Sequence, residues 1–218
     1  MEVLKGVAIL ELECNGIFIY PTLLWDQEMA VLIDTGFPGQ KEDLLVAMDK
    51  VGVSSDKLQA VILTHQDIDH IGSLPELLQH YGENIKVYAH ELDKPYIEGE
   101  LPLLKDGHIG NPPKGKVDEL LSDGQELPYC GGICVIHTPG HISLYLKQSK
   151  TLVAGDSLYS ENGTLQGIHL PTTLDIKLAQ QAIRKYINLD IASVICYHGG
   201  VSNENINEQI NTIILANE

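Results

Sequence analysis

Short apolar runs punctuated by turn residues set the pattern of the first third of the chain. Val7 to Glu13 and Ile17 to Leu24 flank Asn15-Gly16, a dipeptide that tolerates the positive φ of a tight hairpin, and they predict two joined strands. Met29 to Ile33 predicts a third strand, ending at Asp34-Thr35-Gly36. The period then changes. Leu44, Leu45 and Met48 share one face of a helix, and Gly52 suits its stop. Residues 59–64 predict a strand, residues 70–81 a helix ended by Gly82, and Ile85 to Tyr88 a further strand. Strands alternating with helices imply crossover connections.

Residues 98–116 break the rhythm. They are rich in Pro and Gly without a period and predict a long loop, of the kind that serves as a lid or a substrate-lining segment. Short strands return at Gln125 to Leu127, Ile133 to Ile136, Leu144 to Leu146 and Thr151 to Ala154. A helix is predicted from Asp175 to Ile187, with Ile176, Leu178, Ala179, Ala182 and Ile183 on its apolar side. A strand from Ile191 to Cys196 and a helix from Asn203 to Ala216 complete the chain. No repeat or linker divides it, so residues 1–218 are read as one domain. No apolar run is long enough to span a membrane, and the first residues lack the look of a signal peptide, so the expected location is the cytoplasm.

Composition narrows the function classes. The net charge of −16 would repel a polyanion, and phosphate contacts need clustered Lys and Arg, so nucleic acid is not expected as a partner. Cys14, Cys130, Cys134 and Cys196 do not match a common zinc-knuckle spacing. Cys134 and Cys196 lie in apolar runs and read as small core residues.

The chemistry concentrates elsewhere. Thr64-His65-Gln66-Asp67-Ile68-Asp69-His70 places four potential metal ligands directly after the apolar run Ala60 to Leu63. A strand that delivers imidazoles and carboxylates from its C-terminal end is a way for an α/β protein to build a metal centre. Three more strand ends carry the same residue types: Thr138-Pro139-Gly140-His141, Ala154-Gly155-Asp156 and Tyr197-His198-Gly199. Each alone is a weak signal; together they place seven candidate ligands after strands.

In this order and spacing, Leu32-Ile33-Asp34-Thr35-Gly36, the 64–70 motif, Thr138 to His141, Gly155-Asp156 and Tyr197-His198-Gly199 resemble the metallo-β-lactamase superfamily. The resemblance spans residues 32 to 200 and implies an α+β fold, a four-layer αβ/βα sandwich. It implies one metal held by His65, Asp67 and His141, a second held by Asp69, His70 and His198, and Asp156 bridging them. Asp34 matches a family residue that buttresses the metal loop. Asp67 departs from the pattern, since the family's usual residue there is His. A carboxylate there makes the ligand set more anionic and adds Fe or Mn as alternatives to Zn; the superfamily's diiron flavoproteins use a carboxylate at this position.

The resemblance further implies a binuclear hydrolase in which a metal-held hydroxide attacks a carbonyl and Asp69 orients the nucleophile and passes on a proton. Tyr159 stands at the offset from Asp156 where the superfamily's acyl-homoserine lactonases place a tyrosine that hydrogen-bonds the substrate carbonyl. His169 is a candidate for lining the substrate pocket, with His90 and His108 as weaker ones; His80 and His137 read as structural. Neither the glutathione-binding domain of glyoxalase II enzymes nor an export signal is expected. The expected substrate is therefore a small ester, thioester or lactone, with the oligomeric state left open. Two rival classes remain: an iron-dependent dioxygenase of the same fold, for which Asp67 speaks, and a non-catalytic ligand-sensing metalloprotein.

Overall fold

Runs of Val, Ile and Leu that are apolar at successive positions suit strands covered on both faces, and in the computed structural model they form the middle of two sheets. The structure describes residues 1–106 and 108–216. The chain divides into two compact units, Met1–Leu121 and Ser122–Glu218.

The first unit contains β1 (Glu2–Leu4), β2 (Val7–Ile9), β3 (Leu12–Cys14), β4 (Ile17–Ile19), β5 (Thr22–Trp25), β6 (Ala30–Ile33), α1 (Lys41–Lys50), β7 (Leu58–Ile62), α2 (Ile68–Ile71), α3 (Leu74–Tyr81), β8 (Lys86–His90), α4 (Lys94–Ile97) and β9 (Glu119–Leu121). Its seven-stranded sheet has the order β1-β2-β5-β6-β7-β8-β9. The first four of these strands pair antiparallel, and β6 to β9 pair parallel. All four residues of β6 are buried, as are all but Gln59 in β7. Helix α1 buries Leu44 and Met48, one turn apart on the same face.

The Asn15-Gly16 turn forms as expected, with φ of 53° and 83°. Each flanking run nevertheless breaks in two, so that β3 and β4 form a separate hairpin while β2 and β5 enter the main sheet. The expected helix over 70–81 is also two helices, α2 and α3. The break has a packing cause. A Cβ on Gly72 would lie 2.3 Å from the carbonyl carbon of Phe37, so the chain passes there at backbone contact distance. Ser73 then ties the same turn, donating to the Phe37 carbonyl at 2.7 Å and accepting from the Gln40 amide at 2.9 Å. Strand β9, which the sequence did not predict, follows the long loop.

The second unit contains β10 (Glu126–Leu127), β11 (Ile133–Thr138), β12 (His141–Leu146), β13 (Thr151–Gly155), β14 (Tyr159–Glu161), β15 (Thr164–Gln166), α5 (Ile176–Ile183), β16 (Ser193–Cys196), β17 (Gly200–Ser202) and α6 (Ile206–Leu215). Its six-stranded sheet runs β10-β11-β12-β13-β16-β17, with β13 and β16 parallel. Helix α5 is shorter than expected, since Arg184–Asn188 tightens into a 3₁₀ turn. The hairpin β14-β15 is additional. The core of this unit gathers Leu152, Ala154, Ile183, Tyr186, Val194, Cys196 and Ile210. Burial and the nearby Asp156 push the Cys196 thiol up, consistent with a core residue and not a reactive one.

Tyr186 is the polar hub of that core. It is fully buried, and its hydroxyl lies 2.7 Å from Ser143 Oγ and 2.6 Å from Ser157 Oγ, both of which donate to the carbonyl of Ala154. Burial pushes its phenol up to about 12. The network holds the end of β13, immediately before Asp156. Tyr186→Phe is expected to cost about 1–3 kcal/mol, seen as a lower urea midpoint at an unchanged slope.

Candidate metal centre

The metal loop is built from behind. Strand β6 delivers Asp34, a buried residue with φ of 63°, a backbone region that Asp tolerates better than most side chains. Its Oδ1 accepts the Thr64 amide at 2.8 Å, and its Oδ2 accepts the Thr64 hydroxyl at 2.8 Å. Oδ2 also lies 2.9 Å from His70 Nδ1. A carboxylate can only accept, so the neutral His70 ring carries its proton on Nδ1 and leaves the lone pair on Nε2. Thr35 holds the same residue by its backbone: its amide and hydroxyl both donate to the His70 carbonyl, at 2.7 and 2.9 Å. Residues 64 and 70 are thus both fixed to the end of β6, and the loop between them has little freedom.

Around that frame the first unit brings together His65, Asp67, Asp69 and His70. The rings of His65 and His70 have centroids 3.9 Å apart. Asp69 Oδ2 lies 3.6 Å from His70 Nε2, and Asp67 Oδ2 lies 3.1 Å from His65 Nε2. Burial opposes the charged form of Asp67, but His65 and then Lys105 outweigh it and hold its carboxyl well below the usual range. Nitrogen and carboxylate donors in this proportion fit Zn, Fe or Mn. Candidate ligand atoms of His65 and His70, and of Asp69 and His70, lie within 4.8 Å of one another, a spacing that a single ion spans.

Four residues that the motif reading passed over belong to this region. Gln66 donates to Asp67 Oδ1, and Lys105 donates to Asp67 Oδ2. Asp106 accepts the Ile68 amide; its carboxyl is pushed up by burial and by the charges of Asp67 and Asp69. Asp93 is buried and accepts the Gln66 amide; burial pushes its carboxyl up to about 7. Nothing in the local sequence marks Asp93, which reads as an ordinary helix-start residue. Lys105 and Asp106 lie in the loop that composition did flag.

The second unit supplies the remaining predicted groups. Pro139-Gly140 closes the hairpin between β11 and β12, with Gly140 at φ 88°, and His141 is the first residue of β12. Asp156 follows β13, and its Oδ1 lies 3.6 Å from His198 Nε2. The approach of Gly199 to β14 is closer still than that of Gly72 to its turn: a Cβ there would lie 1.8 Å from the Ser160 carbonyl oxygen. The Ser160 amide donates to the His198 carbonyl at 3.0 Å. The strand bearing Tyr159 therefore runs alongside His198. Tyr159 and His169 meet edge to face with centroids 6.0 Å apart, and His169 Nδ1 lies 2.9 Å from the Thr172 hydroxyl. Of the weaker candidates, His90 is buried at the end of β8, where its Nδ1 accepts the Leu92 amide at 3.3 Å, and His108 is exposed.

The family model of the metallo-beta-lactamase superfamily matches residues 15–198. A protein of Bacillus subtilis named as a probable metallo-hydrolase, YflN, is 30% identical over 231 residues, covering 91% of this chain and 85% of its own. The hydroxyacylglutathione hydrolase GloC of Haemophilus influenzae is 28% identical, covering 63% of this chain and 66% of its own. Among solved structures, the archaeal superfamily protein ST1585 from Sulfolobus tokodaii aligns over 98% of this chain and 86% of that one, at 23% identity and a TM-score of 0.73. The chain belongs to the metallo-β-lactamase superfamily and has its α+β fold. Among the described residues no helix is long and apolar enough to cross a membrane.

Asp93 gives a pH signature to the metal-free protein. Its folded carboxyl, at about 7, lies above the ordinary aspartate value of 3.8, so the folded state binds its proton more tightly. Its contribution to stability is intact below pH 4 and is lost as pH rises towards 7, at up to about 1.4 kcal/mol per pH unit. Asp93→Asn, which keeps an acceptor for the Gln66 amide, is expected to flatten that part of the stability profile in urea titrations at pH 4 to 8. An unchanged slope would remove Asp93 as its source.

Proposed function

We propose that this protein is a binuclear metal-dependent hydrolase of a small ester, thioester or lactone. The observation that carries the reading is the preparation of His70: Asp34 fixes its ring proton on Nδ1, Asp69 stands beside its Nε2, and the His65 ring lies against its own. The names of the relatives agree, one as a metallo-hydrolase and one as a hydroxyacylglutathione hydrolase.

In this reading the two units act as one catalytic domain. His65, Asp67 and His141 would hold one ion, Asp69, His70 and His198 the other, with Asp156 shared between them. The ions, Zn in the first instance, supply Lewis acidity and a nucleophilic water at neutral pH. Asp69, half-buried, would accept a hydrogen bond from the attacking water and carry a proton to the leaving group. Tyr159 donates its phenol hydrogen to the substrate carbonyl oxygen, where negative charge develops. His169, packed against the Tyr159 ring, limits the ring's motion and lines the substrate side. A net charge of −16 suits a small-molecule substrate and disfavours nucleic acid.

Protein prepared without chelators and reconstituted with Zn, Mn or Fe, then assayed on a panel of esters, thioesters and lactones, tests the reading. Hydrolysis of at least one class is expected. Asp156→Ala is expected to lose paired metal binding and at least about a thousandfold in kcat/KM, and Tyr159→Phe about tenfold or more in kcat with the fold intact. Full activity in Asp156→Ala would remove the binuclear mechanism. Oxygen uptake confined to the iron form, without hydrolysis, would favour the dioxygenase reading that the Asp67 carboxylate supports.

A further inference from the structure

Residues 104–106 dock in register onto residues 66–68, in the middle of the metal loop. The Leu104 amide donates to Gln66 Oε1 at 2.8 Å, Lys105 Nζ donates to Asp67 Oδ2, and the Ile68 amide donates to Asp106. Gln66 closes the arrangement by donating through Nε2 to Asp67 Oδ1. The ammonium shares Oδ2 with His65 Nε2, which lies 3.1 Å from that oxygen. His65 and Asp67 are in the set assigned above to a single ion, so Lys105 brings a positive charge to a carboxylate that would hold that ion. The side chain of Lys105 is 25% exposed, against 6% for Asp67, which leaves its flexible stem a route to solvent.

We propose that Lys105 is an internal counter-cation that competes with a divalent metal for Asp67, so that metal loading and docking of residues 104–106 exclude each other. An ammonium and a metal ion on one buried carboxylate repel strongly, because the surroundings screen them poorly. Once Lys105 swings out, the Leu104 and Asp106 hydrogen bonds still tie the segment to the loop, but each is weak against water. The carboxylate at position 67 acquires a purpose that a neutral imidazole serves less well, since it pairs a lysine's charge as well as its hydrogen bond when no metal is bound. The segment is then closed in the metal-free protein and released in the loaded one.

This inference rests on the metal reading of the same site, and the test separates the two. Metal-free protein is titrated with Zn²⁺ against a chromophoric chelator. Lys105→Met is expected to bind at least one equivalent tenfold or more tightly than wild type. Lys105→Arg, which keeps the charge, should stay within about threefold, and so should Lys116→Met, whose own partner is Asp118. Independently of any variant, amide exchange in peptides covering Leu103 to Asp106 should quicken at least fivefold when wild type is loaded with zinc. Equal or weaker zinc affinity in Lys105→Met, or exchange that is unchanged or slowed by zinc, would overturn the latch and leave the metal centre standing. Failure of wild type to bind zinc at all would overturn both.

Discussion

The hydrogen bond from His70 Nδ1 to Asp34 is the constraint on which the site is built. Zinc, iron and manganese bind the lone pair of a neutral imidazole, so a histidine ligand must be held in one tautomer and one orientation before the ion arrives. Asp34 does both, and it also fixes Thr64 by its amide and hydroxyl. The cost is a non-glycine residue at φ 63° and a carboxylate taken out of water. Three short hydrogen bonds offset the desolvation. The loop of residues 64–70 is thereby tied at both ends, and its candidate ligands project from a frame that packing does not need to improvise.

Much of this was legible in the residues themselves. The apolar run before His65 forms β7, and the Asn15-Gly16 turn has the positive φ values its composition asks for; Asp34, singled out by the family resemblance, accepts the Thr64 amide. Periodicity misread the helix after the loop because the break at Gly72 and Ser73 is set by the turn at residues 36–40, which is distant in sequence. The hairpin β14-β15 was passed over because its strands are short and polar, although Asn162-Gly163 between them carried a usable signal. Lys105 was out of reach for another reason: it meets Asp67 across 38 positions of chain, and no local pattern encodes such a pair.

Charge is the second organising theme. Asp34, Asp67, Asp69, Asp93 and Asp106 crowd one region of the first unit, and the responses of Asp93 and Asp106 register the crowding. A cluster of this kind is stabilised by cations. Lys105 is one such cation supplied by the chain, and a divalent metal is a stronger one supplied from outside. The departure at position 67 from the family's usual histidine makes sense in that light, because a carboxylate meets either cation with an opposite charge.

The tautomer of His70 is the most direct test of the whole account. Long-range ¹H–¹⁵N correlation spectra of the histidine rings in the metal-free protein distinguish a protonated from a bare ring nitrogen. The account predicts His70 with its proton on Nδ1 and a bare Nε2 that shifts when zinc is added, and loss of that fixed tautomer in Asp34→Ala. A His70 ring protonated on Nε2, or one whose Nε2 resonance ignores zinc, would contradict it.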